Sequence, residues 1–288
     1  MFQGSFVAIV TPFRNEAVDF ETLAKLIEFQ IESGADGIIP CGTTGESATL
    51  SHEEHDQVVE FVVRTVNRRI KVIAGAGSNS FREALRLTRH AQEVGADGAL
   101  VITPYYNKPT QRGMLEHFGK LAKETDIPLV LYNVPGRTGV CLDPQIVAQL
   151  AKVSRIVAIK EATGSVDQVN QILDLCDITV LSGDDMLTFP IMAVGGKGVI
   201  SVAANVLPRE VSRMVHAALE GRWDEGRKIH FQLYKFFKAM FIETNPIPVK
   251  TALRMMGKPA GPFRLPLCDM DPANQEVLRK MLADLGLI

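Results

Sequence analysis

The chain has 288 residues, 46% of them hydrophobic, and a formal net charge of −2 at pH 7, enough to bury one large α/β domain or two ordinary ones. Interspersed charge without a basic patch argues against nucleic acid, and no apolar run approaches the ~20 residues of a membrane span. Residues 1–10 carry no basic leader, and Cys41, Cys141, Cys176 and Cys268 form no CxxC pair, so a cytoplasmic protein is expected.

Residues 5–10 read as a first strand. An amphipathic helix follows at 19–33, with Phe20, Leu23, Ala24, Ile27 and Ile31 at helical spacing. Gly34-Ala35-Asp36-Gly37 then leads into Ile38-Ile39-Pro40. Sixty-one residues later Gly95-Ala96-Asp97-Gly98 leads into Ala99-Leu100-Val101-Ile102. That interval fits two strand-plus-helix units of roughly 30 residues each, a quarter-barrel repeat. Further strands are expected at 71–74, 129–132, 156–160, 178–181 and 198–202. Helices separate them, and Ser51/Glu54, Ser80/Glu83 and Ser165/Gln168 have capping-box spacing.

Eight such units ending near Glu220, with short strands apolar on both faces, predict an α/β fold: a closed (β/α)8 TIM barrel over residues 1–222. An open doubly wound sheet is the alternative, but no Gly-x-Gly-x-x-Gly follows the first strand. From Trp223 the pattern is wholly helical, at 224–243, 247–256 and 273–287, interrupted by Lys258-Pro259-Ala260-Gly261-Pro262. Residues 223–288 are expected to form a C-terminal helical extension for packing or subunit contact, with Asn245-Pro246-Ile247-Pro248 its one unusual stretch.

Active sites of such barrels sit on the loops after the strands' C-terminal ends, and the unusual polar residues fall there. They are Gly42-Thr43-Thr44-Gly45-Glu46-Ser47, Thr103-Pro104-Tyr105-Tyr106-Asn107, Tyr132-Asn133-Val134-Pro135-Gly136-Arg137-Thr138 and Ser182-Gly183-Asp184-Asp185. The sixth strand, Ile156-Val157-Ala158-Ile159, ends in Lys160-Glu161. Burial disfavours a lysine's ammonium relative to its amine, and a neutral amine attacks carbonyls to give Schiff bases. A lysine that snorkels to solvent is the plainer alternative.

The Thr43-Thr44 turn could hold a carboxylate with its hydroxyls and amides. Tyr132 suits proton transfer beside a nucleophile, and Arg137 offers a fork for a second carboxylate. Each also has a plain structural reading, as a turn, a core aromatic and a solvated arginine. His52-Glu53-Glu54-His55 is not His-Glu-x-x-His and has no third ligand nearby. With no phosphate loop or dinucleotide fingerprint either, neither metal nor cofactor is expected.

In combination, Gly42-Thr43-Thr44-Gly45-Glu46, Tyr132-Asn133-Val134-Pro135 and Ile159-Lys160-Glu161-Ala162 resemble the pyruvate-dependent class I lyases and synthases, the family that includes the N-acetylneuraminate lyases. The resemblance runs from Phe2 to the C-terminus. It implies a barrel with a helical C-terminal part, assembled as a homotetramer, a dimer of dimers. It also implies that Lys160 captures pyruvate as a Schiff base. Tyr132 would relay protons through Thr43 to Tyr106, which reaches into the neighbouring subunit's site.

By the same resemblance, Thr43 and Thr44 form the pyruvate carboxylate pocket, lined by Gly183 and Ile200, and Arg137 receives the carboxylate of L-aspartate 4-semialdehyde. That arginine, with Thr44, favours the synthase branch, whose lyase-class reaction condenses these two substrates on the diaminopimelate route to lysine. Ser47, Ala48, His52, His55, Asn79, Glu83 and Tyr105 match an allosteric site for feedback inhibition by L-lysine, coupled through Tyr106. Taken alone, Glu83 reads as the capping partner of Ser80, and the two histidines as exposed first-turn residues.

Two other functions compete. A related aldolase would act on a sugar-derived aldehyde, which lacks the carboxylate that Arg137 would receive. A catalytically silent lysine-binding protein would have no use for Lys160, Tyr132, Thr43 and Tyr106 together.

Overall fold

Short runs of Val, Ile, Leu and Ala, apolar on both faces, make strands that must be covered inside and out. The computed structural model describes residues 2–288. It contains eight such parallel strands: β1 (Gly4–Ala8), β2 (Gly37–Ile39), β3 (Lys71–Gly75), β4 (Gly98–Ile102), β5 (Leu129–Asn133), β6 (Ile156–Glu161), β7 (Thr179–Ser182) and β8 (Gly198–Ser201). Each pairs with its neighbours in sequence, and β8 pairs with β1 to close the barrel. Every strand expected from the sequence is present, with ends shifted by at most two residues.

One helix follows each strand on the outside: α1 (Phe20–Glu32), α2 (His52–Val66), α3 (Phe81–Glu93), α4 (Gln111–Lys123), α5 (Pro144–Leu150), α6 (Val166–Leu175), α7 (Thr188–Ala193) and α8 (Pro208–Leu219). Three more complete the chain: α9 (Trp223–Ala239), α10 (Ile247–Met255) and α11 (Pro272–Asp284). The apolar stripes of these helices join the outward strand residues in one continuous shell, which includes Val7, Ile38, Val101 and Ile159. The barrel interior is a second cluster, with Phe6, Ile39, Ile73, Leu100, Val130, Ala158, Leu181 and Ile200. Strand residues alternate between faces, so Lys160 continues the inward row of Ala158.

The Gly-Ala-Asp-Gly repeat has a physical basis. Gly34 and Gly95 both end a helix at φ +82°, in the left-handed region that glycine enters without penalty. Asp36 then accepts the N–H of Ser5 at 2.7 Å, and Asp97 accepts the N–H of Val72 at 2.9 Å, each on the preceding strand. A Cβ on Gly37 would lie 2.4 Å from the Phe6 ring, and one on Gly98 would lie 2.8 Å from the Phe2 ring. The repeat therefore ends a helix, anchors a strand and makes room for an aromatic plug in the barrel floor.

Three details differ from expectation. Ser51 and Glu54 form a reciprocal capping box, but Ser80 makes no capping bond. The buried Ser78 hydroxyl donates to the Glu83 carboxylate instead and accepts the N–H of Ser80 at 3.0 Å. A two-stranded ribbon, Phe13–Arg14 with Ala17–Val18, interrupts the loop after β1, where the expected strand end was too long. The long helix of the C-terminal part stops at Ala239 rather than 243, and the chain from there to Ile247 turns towards the open end of the barrel.

Candidate active site

The loops after β2 to β5 surround a cavity of about 670 Å³ at the strands' C-terminal ends. Lys160 is the penultimate residue of β6, is 6% exposed, and lies opposite Tyr132 of β5 in the strand register. Its Nζ sits 4.1 Å from the centre of the Tyr132 ring, and that ring forms part of the cavity wall. Gly183, after β7, is required by this packing. A Cβ there would lie 3.0 Å from Lys160 Cε and 2.7 Å from Ala162 Cβ. Ile200 is fully buried in the barrel interior on the same floor.

The loop after β2 is a chain of tight turns. The N–H groups of Gly45 and Ser47 donate to the carbonyl of Gly42, and that of Glu46 donates to Thr43. Thr43 borders the cavity, and Thr44 beside it is buried. Glu46 adopts a left-handed φ of 54°, and its carboxylate is held in a closed compartment. There it meets Lys250 of α10 at 2.5 Å, both side chains being 0% exposed. Lys250 also donates to the carbonyls of Thr11 at 3.1 Å and Pro262 at 2.9 Å. Desolvation pulls the ammonium of Lys250 below its ordinary pKa, against the attraction of Glu46.

Arg137 lies on a single helical turn, Pro135–Thr138, that Pro135 starts and Gly139 ends at φ +73°. Its Nη2 donates to the carbonyl of Asn245 at 3.1 Å, and the Asn245 side chain donates to Thr44 Oγ1 at 3.0 Å. Asn245, two residues before α10, thus ties the two loops together. Sequence reasoning marked this stretch as unusual without assigning it to the site. It missed the Glu46–Lys250 pair altogether, although a lysine between Val249 and Ala252 on an apolar helix face is itself a signal.

The seven residues of the second constellation are mostly brought together. Ser47, Ala48, His52, His55, Glu83 and Tyr105 border the same cavity, at its outer end. Asn79 stands beside it, its carbonyl accepting from Asn107 at 3.0 Å. His52 Nδ1 faces Arg86 at 3.1 Å and its Nε2 faces Glu83 at 3.3 Å. Arginine only donates, so Nδ1 is the acceptor and Nε2 carries the proton towards the carboxylate. His52 is exposed as expected, but His55 is 7% exposed, and burial lowers its pKa to about 4. From the cap, Arg264 reaches back to both oxygens of Glu54 at 2.6 Å, so the C-terminal segment straps this end of the site.

Tyr106 stands apart. It is 88% exposed, is not part of its own chain's cavity wall, and is held at φ +68°, an uncommon conformation for an aromatic residue. Among the described residues, no group of three or more His, Cys, Asp or Glu could hold a metal ion. No helix among them is long and apolar enough to cross a membrane.

A (β/α)8 barrel with a buried lysine near the end of its sixth strand and a helical cap is the architecture of lysine-based carbonyl chemistry at a barrel mouth. The chain belongs to the dihydrodipicolinate synthetase family, which it matches over residues 1–285. It is 57% identical, over the full length of both chains, to the 4-hydroxy-tetrahydrodipicolinate synthases of Geotalea uraniireducens and Methanocaldococcus jannaschii. A solved dihydrodipicolinate synthase from Aquifex aeolicus superposes with a TM-score of 0.98 at 54% identity, covering 99% of each chain. Another from Acinetobacter baumannii, complexed with pyruvate, gives 0.98 at 44% identity and covers all of both chains. One from Cyanidioschyzon merolae, with lysine bound, gives 0.96 at 40%, covering 100% of this chain and 99% of that one.

Proposed function

We propose that this protein is a lyase-class synthase that condenses pyruvate with L-aspartate 4-semialdehyde to 4-hydroxy-tetrahydrodipicolinate, in the cytoplasm, on the diaminopimelate route to lysine. The observation that carries the reading is Lys160, a buried lysine over the face of Tyr132, whose ring forms part of the wall of a cavity that Arg137 also borders. Lys160 Nζ attacks the pyruvate ketone and water leaves, giving a protonated imine that acts as an electron sink. Tyr132, relayed through Thr43 to Tyr106 of a neighbouring subunit, carries the protons of this step and of methyl deprotonation. The resulting enamine carbon attacks the aldehyde, whose oxygen takes a proton to become the hydroxyl. The substrate's amino group then adds to the imine carbon and expels the Lys160 amine, closing the ring.

Thr43 and Thr44 hold the pyruvate carboxylate in this reading, Gly183 and Ile200 shape its pocket, and Arg137 binds the carboxylate of the semialdehyde. The N–H groups of Thr43 and Thr44 have no acceptor among the described residues, which leaves them available to an anion. Residues 1–222 carry the chemistry and 223–288 brace it. The exposure of Tyr106 supports a homotetramer, a dimer of dimers, in which it is covered. The lysine-bound relative and the histidine–carboxylate cluster support feedback inhibition by L-lysine at Ser47, Ala48, His52, His55, Asn79, Glu83 and Tyr105.

The test is borohydride trapping of pyruvate followed by mass spectrometry, then initial rates titrated with L-lysine. Wild type gains one reduced pyruvate adduct and Lys160→Ala gains none. Undiminished trapping in that variant refutes the Schiff-base assignment. Rates that do not respond to millimolar lysine refute the inhibitory site.

A further inference from the structure

We propose that Asn245 determines specificity for an amino-aldehyde: its side-chain oxygen accepts a hydrogen bond from the substrate's α-amino group, while its other polar groups hold the two carboxylate-binding residues. The inference rests on the function proposed above and adds a recognition element to it.

Asn245 is 5% exposed and borders the cavity beside Arg137 and Thr43. Its backbone carbonyl receives Arg137, and its amide Nδ2 donates to Thr44 Oγ1. Its Oδ1 is buried and has no partner. A buried acceptor without a donor is destabilising, and it persists where a ligand supplies the donor. The substrate's two handles are adjacent, because an α-amino acid carries its amine on the carbon next to the carboxylate. Arg137 receives the one and Asn245, in direct contact with Arg137, receives the other. A sugar-derived aldehyde offers neither group.

The same geometry sets the direction of the Thr44 hydroxyl. Its oxygen accepts from Asn245, so its proton is free to donate, and it finds no acceptor among the described residues. A hydroxyl poised as a donor is what the pyruvate carboxylate requires. The opposite orientation of the Asn245 amide would reverse both statements, leaving a buried N–H in the cavity and a Thr44 proton already spent.

The experiment uses the full-length protein and two aldehydes. One is L-aspartate 4-semialdehyde as substrate; the other is 4-oxobutanoate, the same molecule without the amino group, as inhibitor. In Asn245→Ala, KM for the amino-aldehyde rises about 10- to 100-fold, while the inhibition constant of 4-oxobutanoate moves less than about threefold. Asn245→Asp keeps the acceptor, so it retains the preference for the amino compound. Its KM for pyruvate rises instead, because Thr44 now gives its proton to the new carboxylate. Equal weakening of both aldehydes in Asn245→Ala, as a merely structural residue would give, overturns the proposal, as does no change in either.

Wild type supplies an arm that needs no variant: binding of 4-oxobutanoate as tight as that of the amino-aldehyde overturns it. Pyruvate trapping on wild type separates the two levels of failure. Absence of trapping removes the proposed function and this inference with it. Trapping and turnover without amino-group discrimination remove the Asn245 assignment alone.

Discussion

Lys250→Met tests whether the barrel mouth depends on a charge pair sealed beneath it. The substitution keeps most of the side chain's volume and removes an ammonium that serves Glu46 and the carbonyls of Thr11 and Pro262. Both members of the pair are fully inaccessible, so water cannot replace the lost partner. Breaking a buried pair from one side costs about 3–5 kcal/mol, because an uncompensated charge is left in the interior. An unfolding entropy of about 2.1 cal/mol/K per residue gives roughly 0.6 kcal/mol/K for this chain length, so the melting temperature should fall by about 5–8 °C. Because Glu46 anchors the Thr43-Thr44 turn, KM for pyruvate should rise in the same variant.

Thermal and urea unfolding followed by circular dichroism measures the first effect, and steady-state kinetics the second. The double variant Glu46→Gln/Lys250→Met removes both charges and should recover at least about 2 kcal/mol relative to Lys250→Met. A single-variant shift below 2 °C, or a double variant in which the two losses simply add, would show that the pair is not the support described here.

Gly183→Ala should fold and retain its secondary structure but trap pyruvate much more slowly, since the new Cβ would crowd Lys160 Cε at 3.0 Å and Ala162 Cβ at 2.7 Å; wild-type trapping rates would contradict that packing. His55 titrates near 4 when folded and near 6.5 when unfolded. Its stabilising contribution is therefore intact above pH 6.5 and is lost as pH falls towards 4, by about 3 kcal/mol in total. Asp185, raised by burial to about 6, pulls the other way by losing stability as pH rises through that value. The informative quantity is consequently the difference between wild type and His55→Gln at each pH, and a difference that stays flat from pH 7 to 4 would refute the assignment.

How much of this was legible beforehand depended on the range of the interaction. The strands announced themselves because each must be apolar on both faces, and the Gly-Ala-Asp-Gly repeat because its parts act within one unit. The polar signature of a single loop end, such as Lys160 after Ile159 or the Thr43-Thr44 turn, is likewise local. Ser80 was misread because two serines compete for Glu83, and only burial decides in favour of Ser78. Asn245 could be marked as unusual but not placed, since its partners Arg137 and Thr44 lie 108 and 201 residues away. Glu46 and Lys250 carried no mutual signal at all. Two opposite charges separated by 204 residues look like any other pair until the fold brings them together.

That separation has a consequence for the order in which the molecule comes into being. At roughly 5–20 residues per second, the ribosome adds the 204 residues between Glu46 and Lys250 over about 10–40 s. Throughout that interval the second loop has a carboxylate and no counter-ion, and Arg137 and Thr44 have no Asn245. The elements of the mouth are thus made early and fastened late. A nascent chain can complete all eight strands and still lack a finished mouth.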